Sequence, residues 1–307
     1  MDRKILSADQ ENWLISKLGE DRGREKLHLL ETYQKKWHLH GIAPAQTISH
    51  NNLIFYAVSE KYGKVMLKIL LNDGFDQDIP ALRAFQGSKF VSLYEYSLAD
   101  GICLIEQIIP GKTLFEETSR NERIKIFSGI FKGLHPTVSK EHQFPFYYDW
   151  FKFGKDGAKG RKDCEPFRPY LEKAEKIILS ISGEYPQTFL LHGDLHHENI
   201  LKTAAGTYKV IDPKGVVGNP VFDLSRFIMD EFSDDLTSEP KAYIVEFVQT
   251  LGAVMGVPEA VLFRCLFAET VIWLFREELS QGANLQDCAG LAANMKIANE
   301  LLRITHL

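Results

Sequence analysis

Several features that mark specialised protein classes are scarce or missing in this chain, and each shortage excludes something. Its four cysteines, Cys103, Cys164, Cys265 and Cys288, are far apart and form no CxxC pair. Neither a zinc knuckle nor a dithiol redox motif can be read from them, and a reducing cytoplasm is the expected compartment. Positive charge is not in excess: 36 Lys and Arg stand against 41 Asp and Glu, a formal net charge of -5. A dedicated nucleic-acid binder is therefore not expected. The first residues, MDRKILSADQENW, hold no apolar core of signal-peptide length, and later apolar stretches are interrupted well short of a membrane span, so no membrane partner is expected. Internal repeats, low-complexity tracts and long linkers are also absent.

What is present is an ordinary globular composition, 45% hydrophobic and 25% charged, in 307 residues. That length lies slightly above the size at which one core stops growing, so two lobes are expected, 1–107 and 108–307. Leucines and aromatics recur at helical spacing over 9–39 (Leu27, Leu30, Tyr33, Trp37), with breaks near Gly19 and Gly23 and a stop at Gly41 and Pro44. Two β-rich runs, 53–58 and 64–71, predict a hairpin turning at Gly63. A helix is expected over 77–87, then strands at 90–97 and 102–109 around Ala99-Asp100-Gly101. After Pro110-Gly111 the pattern turns helical: Ser119 and Glu122 have capping-box spacing, a further helix covers 166–180, and 222–304 is helical throughout. Short strand-like pieces begin at Asn199 and Tyr208.

The segment LLHGDLHHENILKTAAGTYKVIDPKG, 190–215, carries the chemistry. Phosphoryl transfer needs an Asp to accept the acceptor hydroxyl's proton, an Asn five positions on to hold magnesium, and a second Asp after the next strand to bridge magnesium to the phosphates. Asp194, Asn199 and Asp212 have that spacing. Hard oxygen ligands suit magnesium, and a carboxylate can both orient a hydroxyl and take up its proton. Lys68, inside VMLKIL, is the expected partner of the nucleotide phosphates, with Asp78, or else Asp76, orienting it. The loop 48–52 lacks a glycine-rich cradle; Ser49, Asn51 and Asn52 are phosphate contacts or an ordinary polar turn.

HGDLHHENIL followed by IDPKGVVGNPVFDLSRFI resembles the aminoglycoside phosphotransferase family, and 213–218 resembles its streptomycin 6-phosphotransferase and hydroxyurea-resistance kinase branch. The likeness extends loosely through Trp37, Lys68, the GKTL turn after Pro110 and Leu134-His135. It implies a protein-kinase-like α+β fold, with a small antiparallel-sheet lobe, a larger helical lobe and ATP in the cleft between. By the same likeness Asp194 is the catalytic base, Asn199 and Asp212 bind magnesium, and Lys68 meets the nucleotide. Glu106, Gln107 and Ile108 form the hinge against adenine, while His192 and Asp223 support the catalytic loop. The family's helix acid is usually Glu, so Asp78 has to reach further. The acceptor is expected to be an alcohol group of an aminoglycoside or aminocyclitol such as streptomycin, or of a housekeeping sugar or amino alcohol.

Acidic residues follow the motif: Asp230, Glu231, Asp234, Asp235, Glu239, Glu269, Glu277 and Glu278. They form a solvated helical face or a field that attracts a cationic acceptor. Two readings from other classes remain open. His192, Asp194, His196 and His197 could form a hydrolytic transition-metal site, which leaves Asn199 and Asp212 unexplained. A nucleotide-binding module of kinase shape without catalysis would fit the missing glycine-rich loop.

Overall fold

A computed structural model describes residues 6–45, 52–71, 77–139, 141–278 and 289–304. It divides into two compact units, 1–111 and 112–307.

The first unit opens with α1 (Ala8–Leu18), started by a reciprocal capping box between Ser7 and Gln10. α2 (Glu20–Lys36) follows after a break at Gly19. Gly23 does not break the helix; a Cβ there would come within 2.8 Å of the Ile15 backbone, so glycine serves the close crossing of α1 and α2. The expected helical stop at 39–44 is instead strand β1 (Leu39–Pro44). Its backbone groups pair antiparallel with β2 (Asn52–Ser59), and this tertiary pairing overrides the local Gly and Pro signals. β2 turns at Gly63 into β3 (Gly63–Leu70), as the hairpin pattern predicts. α3 (Asp78–Ala84), β4 (Leu93–Ser97) and β5 (Ile102–Glu106) complete the unit, whose sheet runs β1-β2-β3-β5-β4. Phe55, Leu67, Ile69 and Leu104 of the sheet are fully buried in one cluster with Leu14, Leu30 and Tyr33 of the two helices. Truncating a residue such as Phe55 would cost roughly 3–5 kcal/mol.

β6 (Pro110–Thr113) lies at the division. In the second unit Ser119 caps α4 (Arg120–Phe131), its side chain accepting the Glu122 N–H. α5 (Tyr147–Ala158), which the sequence pattern does not predict, precedes α6 (Arg168–Glu184). β7 (Phe189–Leu191), β8 (Ile200–Thr203), β9 (Tyr208–Val210) and β10 (Val216–Gly218) frame the motif, β7 pairing with β10 and β8 with β9. α7 (Val221–Glu231) is buried along its whole length. α8 (Lys241–Met255), α9 (Glu259–Ile272) and α10 (Ala289–Ile304) follow, with α9 packed against α6, α7, α8 and α10. Among the described residues no single helix is long and apolar enough to cross a membrane, and α8 with α9 passes such a test only as a pair bent by 118°. Cys103, Cys164 and Cys265 are buried; Cys288 lies outside the described residues.

Candidate active site

The site grows from the antiparallel β7/β10 and β8/β9 pairs, which hold the loops 192–199 and 211–215 side by side. The Ile211 N–H donates to the Asn199 carbonyl at 2.9 Å and the Lys214 N–H to the His192 carbonyl at 2.7 Å. His192 is fully buried and joins both loops. Its Nε2 faces the Ile211 carbonyl at 2.8 Å, which can only accept, so Nε2 carries the proton and Nδ1 is free to accept the Asp194 N–H at 3.1 Å. Burial pushes its pKa down, so the ring stays neutral.

Asp223, in the first turn of α7, clamps the start of the loop. It accepts the backbone N–H groups of His192 and Gly193, each at 2.8 Å, and lies 2.9 Å from His135 Nε2. Gly193 has φ +79°, and a Cβ there would overlap the Trp150 ring, so only glycine lets the chain pass at this point.

Asp194 and Asn199 are tied directly: the Asn199 side-chain amide donates to the Asp194 carbonyl at 2.9 Å. With its N–H spent there, Asn199 keeps Oδ1 as the group that can meet a cation. Asp212 sits at φ +58°, a left-handed conformation that Asp tolerates better than most residues, and its Oδ2 accepts from Lys214 Nζ at 2.8 Å. One amide oxygen and one carboxylate are hard donors, a set that fits magnesium.

The Asp194 carboxylate has a partner that sequence reasoning missed. Arg226 of α7 donates from Nε to Oδ1 at 3.0 Å, forks onto Asp234 with its other nitrogens, and lies over the Trp273 ring at 4.4 Å. Burial opposes ionisation of Asp194, yet His196, Arg226, Lys214 and His192 together outweigh it and hold its pKa below the usual carboxylate range.

His197 is buried with its Nδ1 2.8 Å from Asp230 Oδ2 and its Nε2 3.0 Å from Glu231 Oε2. Its ring stacks on Phe227 at 4.2 Å. Glu231 also binds Arg120 and Arg123 of α4. Burial works against the Asp230 charge, but the neighbouring His196 and His197 overcome it and keep that carboxyl strongly acidic. His192 and His197 are thus engaged by carbonyls and carboxylates, while His196 lies 3.7 Å from Asp194 and 3.6 Å from Asp230. Among the described residues no three or more His, Cys, Asp and Glu converge on a metal position, which removes the transition-metal reading. Asp223, Arg226 and Asp230 are spaced i, i+3 and i+7, one face of α7. That spacing was the available signal for Arg226 and Asp230 once Asp223 had been placed against the loop.

Of the acidic residues, Asp235 is exposed and Glu239 half-buried, whereas Asp230, Glu231, Asp234 and Glu269 belong to neither a solvated face nor an open anionic field. Asp230, Glu231 and Asp234 are paired with His197, Arg123 and Arg226. Glu269 is buried and accepts from the Tyr147 hydroxyl at 2.6 Å. Burial raises its pKa to about 7, against that hydrogen bond and the charges of Arg226 and Arg276. Nothing local in the sequence marks Trp150, which comes from α5, or the buried state of Glu269.

In the first unit Lys68 of β3 and Asp78 of α3, 4% and 5% exposed, form a direct ion pair, so the shorter helix acid does reach. Glu106 ends β5 with its carboxylate accepting from the Ser92 N–H and Oγ at 3.1 and 3.0 Å, Gln107 is half-buried, and Ile108 is buried. Asn52 is buried, and its Oδ1 has no hydrogen-bond partner among the described residues. Ser49, Asn51 and Asp76 lie outside the described residues, as do the side chains of Glu277 and Glu278.

A profile of the family described as aminoglycoside/hydroxyurea antibiotic resistance kinase matches residues 36–275. The chain is 26% identical over 205 residues to a hydroxyurea phosphotransferase of Kitasatospora aureofaciens, a match covering 65% of this chain and 60% of that protein. It is 25% identical over 149 residues to a streptomycin 6-kinase of Streptomyces griseus, covering 47% of each. The chain therefore spans less than two thirds of either relative. The choline kinase LicA from Streptococcus pneumoniae superposes with a TM-score of 0.66 at 15% identity, covering 91% of this chain and 99% of that one. This likeness shows the fold, protein-kinase-like, with a smaller antiparallel-sheet unit and a larger helical one. With most of its length matched by the profile, the chain belongs to the aminoglycoside/hydroxyurea antibiotic resistance kinase family.

Proposed function

We propose that this protein is an ATP- and magnesium-dependent phosphotransferase that moves the γ-phosphate to a hydroxyl group of a small molecule of the aminoglycoside or hydroxyurea kind. The observation that carries the reading is the Asp194–Asn199 tie beside Asp212. It supports the reading because the loop that carries Asp194, whose half-buried carboxylate is kept ionised, is tied to Asn199, and Asn199 and Asp212 offer oxygen donors suited to magnesium. LicA, similar in fold, has been solved with AMP, which supports a nucleotide as the donor here.

Lys68, held by Asp78, binds the donor's phosphates, and the segment 106–108 meets its base. Asn199 and Asp212 would hold magnesium, which when bound would supply positive charge against the phosphates. Asp194 aligns the acceptor hydroxyl for in-line attack and takes up its proton; Arg226, by holding Oδ1, leaves Oδ2 as the oxygen for that task. His192 and Asp223 fix the loop so that this alignment costs little reorganisation.

The reading is tested by magnesium-dependent ATP consumption against a panel of aminoglycosides, hydroxyurea and simple polyols. Turnover on at least one acceptor, absent in Asp194→Asn, supports it. Equal turnover in Asp194→Asn would overturn the assignment of the base.

A further inference from the structure

Three helices of the second unit, α6, α9 and α10, border a cavity of about 410 Å³ that shares no lining residue with the candidate active site. α6 turns Lys173, Lys176, Ile177 and Ser180 towards it, and their i, i+3, i+4 and i+7 spacing makes them one face of the helix. α9 contributes Arg264 and α10 contributes Leu302. Ile177 and Leu302 are both buried, so part of the wall is apolar.

The charge on this wall is of one sign and mostly unmatched. Arg264 has a carboxylate, donating to Glu184 at 3.0 Å as well as to the Ser180 hydroxyl at 2.7 Å. Lys173 has only neutral partners: it donates to the Asn299 side-chain carbonyl at 2.8 Å, and its Nζ lies 5.2 Å from the centre of the Phe267 ring. Among the described residues neither Lys173 nor Lys176 is ion-paired. Burial and, after it, the charge of Arg303 push the Lys173 pKa down. An ammonium that is partly desolvated beside another cation is destabilised until an anion joins it. The chain holds 41 acidic against 36 basic residues, so a shortage of carboxylates does not explain their absence here. Both lysines and Arg264 face one cavity instead of spreading along a flat surface, which suits a compact anion better than a polymer. Two ammonium groups match the two charges of a phosphate monoester, and the apolar wall suits a small apolar body attached to it.

We propose that the cavity between α6, α9 and α10 is a second ligand site, which takes a small phosphate monoester with its phosphate on Lys173 and Lys176 and its apolar body against Ile177 and Leu302. The test is calorimetric titration of phenyl phosphate, inorganic phosphate and benzoate into the whole chain at pH 7.5. The proteins compared are the wild type, Lys173→Gln, Lys176→Gln and, as a control, Lys152→Gln on the exposed side of α5. Phenyl phosphate should bind the wild type roughly tenfold more tightly than either other probe, since it alone offers both a dianion and a ring. Lys173→Gln and Lys176→Gln should each weaken it by roughly tenfold, as loss of one charge-assisted contact implies, and Lys152→Gln should leave it unchanged. Lys176 is exposed, so its variant keeps the test open even if Lys173→Gln fails to fold. Absence of phenyl phosphate binding, or binding that both cavity variants leave intact, would overturn the proposal, as would an equal loss in Lys152→Gln. Equal affinity for inorganic phosphate would overturn the role of the apolar wall.

Discussion

Arg226 Nε donates to Asp194 Oδ1 at 3.0 Å, so the proposed catalytic base is held by a guanidinium that α7 presents one turn after the loop-clamping Asp223. The pair fixes which carboxylate oxygen faces an acceptor and helps to keep it ionised.

Replacing Arg226 by Gln should lower kcat by at least about tenfold, since a charge-assisted hydrogen bond to a half-buried carboxylate is removed. Asp194 has its pKa depressed in part by this arginine, so its loss moves the acid limb of the pH–rate profile to higher pH. Steady-state kinetics from pH 5 to pH 8 would check this; an unmoved limb would show that Arg226 does not set the state of Asp194.

The Lys68–Asp78 pair is buried, and removing one partner leaves the other charge uncompensated. Asp78→Asn should destabilise the protein by about 3–5 kcal/mol and weaken nucleotide binding. Denaturant melts and nucleotide titration of Asp78→Asn and Lys68→Met test both effects.

Much of this was legible before any coordinates. Alternating apolar residues marked β2 and β3, and the Ser119 cap marked α4. The Asp194, Asn199 and Asp212 spacing marked the loops because phosphoryl transfer constrains residue type and separation together. β1 was not legible, since its Gly41 and Pro44 speak against a strand and only pairing with β2 makes one. Trp150 was hidden for a related reason: it meets Gly193 through packing of α5 and carries no local pattern. Arg226 lay between, visible only as a helical neighbour of Asp223.

Glu269 gives a stability signature. Its carboxyl, with a pKa near 4.5 when unfolded, is raised to about 7 by burial in the folded chain. The folded state thus keeps a proton that the unfolded state has released, and the stability this group contributes is full below pH 4.5 and lost as the pH rises to about 7. The loss amounts to about 3 kcal/mol. Glu269→Gln should remove that slope, which melts at pH 5 and pH 8 would show.

Gly193→Ala should cost about 1–3 kcal/mol and depress turnover, because φ is +79° and the new methyl group would press on Trp150. Thermal denaturation with kinetics on the folded fraction separates the two effects.

The central claim is that Asp194 activates an acceptor hydroxyl for γ-phosphate transfer. The most direct measurement follows radiolabelled γ-phosphate from ATP into an acceptor with the wild type and Asp194→Asn, alongside nucleotide binding by each. Labelled product with the wild type alone, and equal nucleotide binding by both proteins, is the expected result. Labelled product at comparable rates from both would contradict the account.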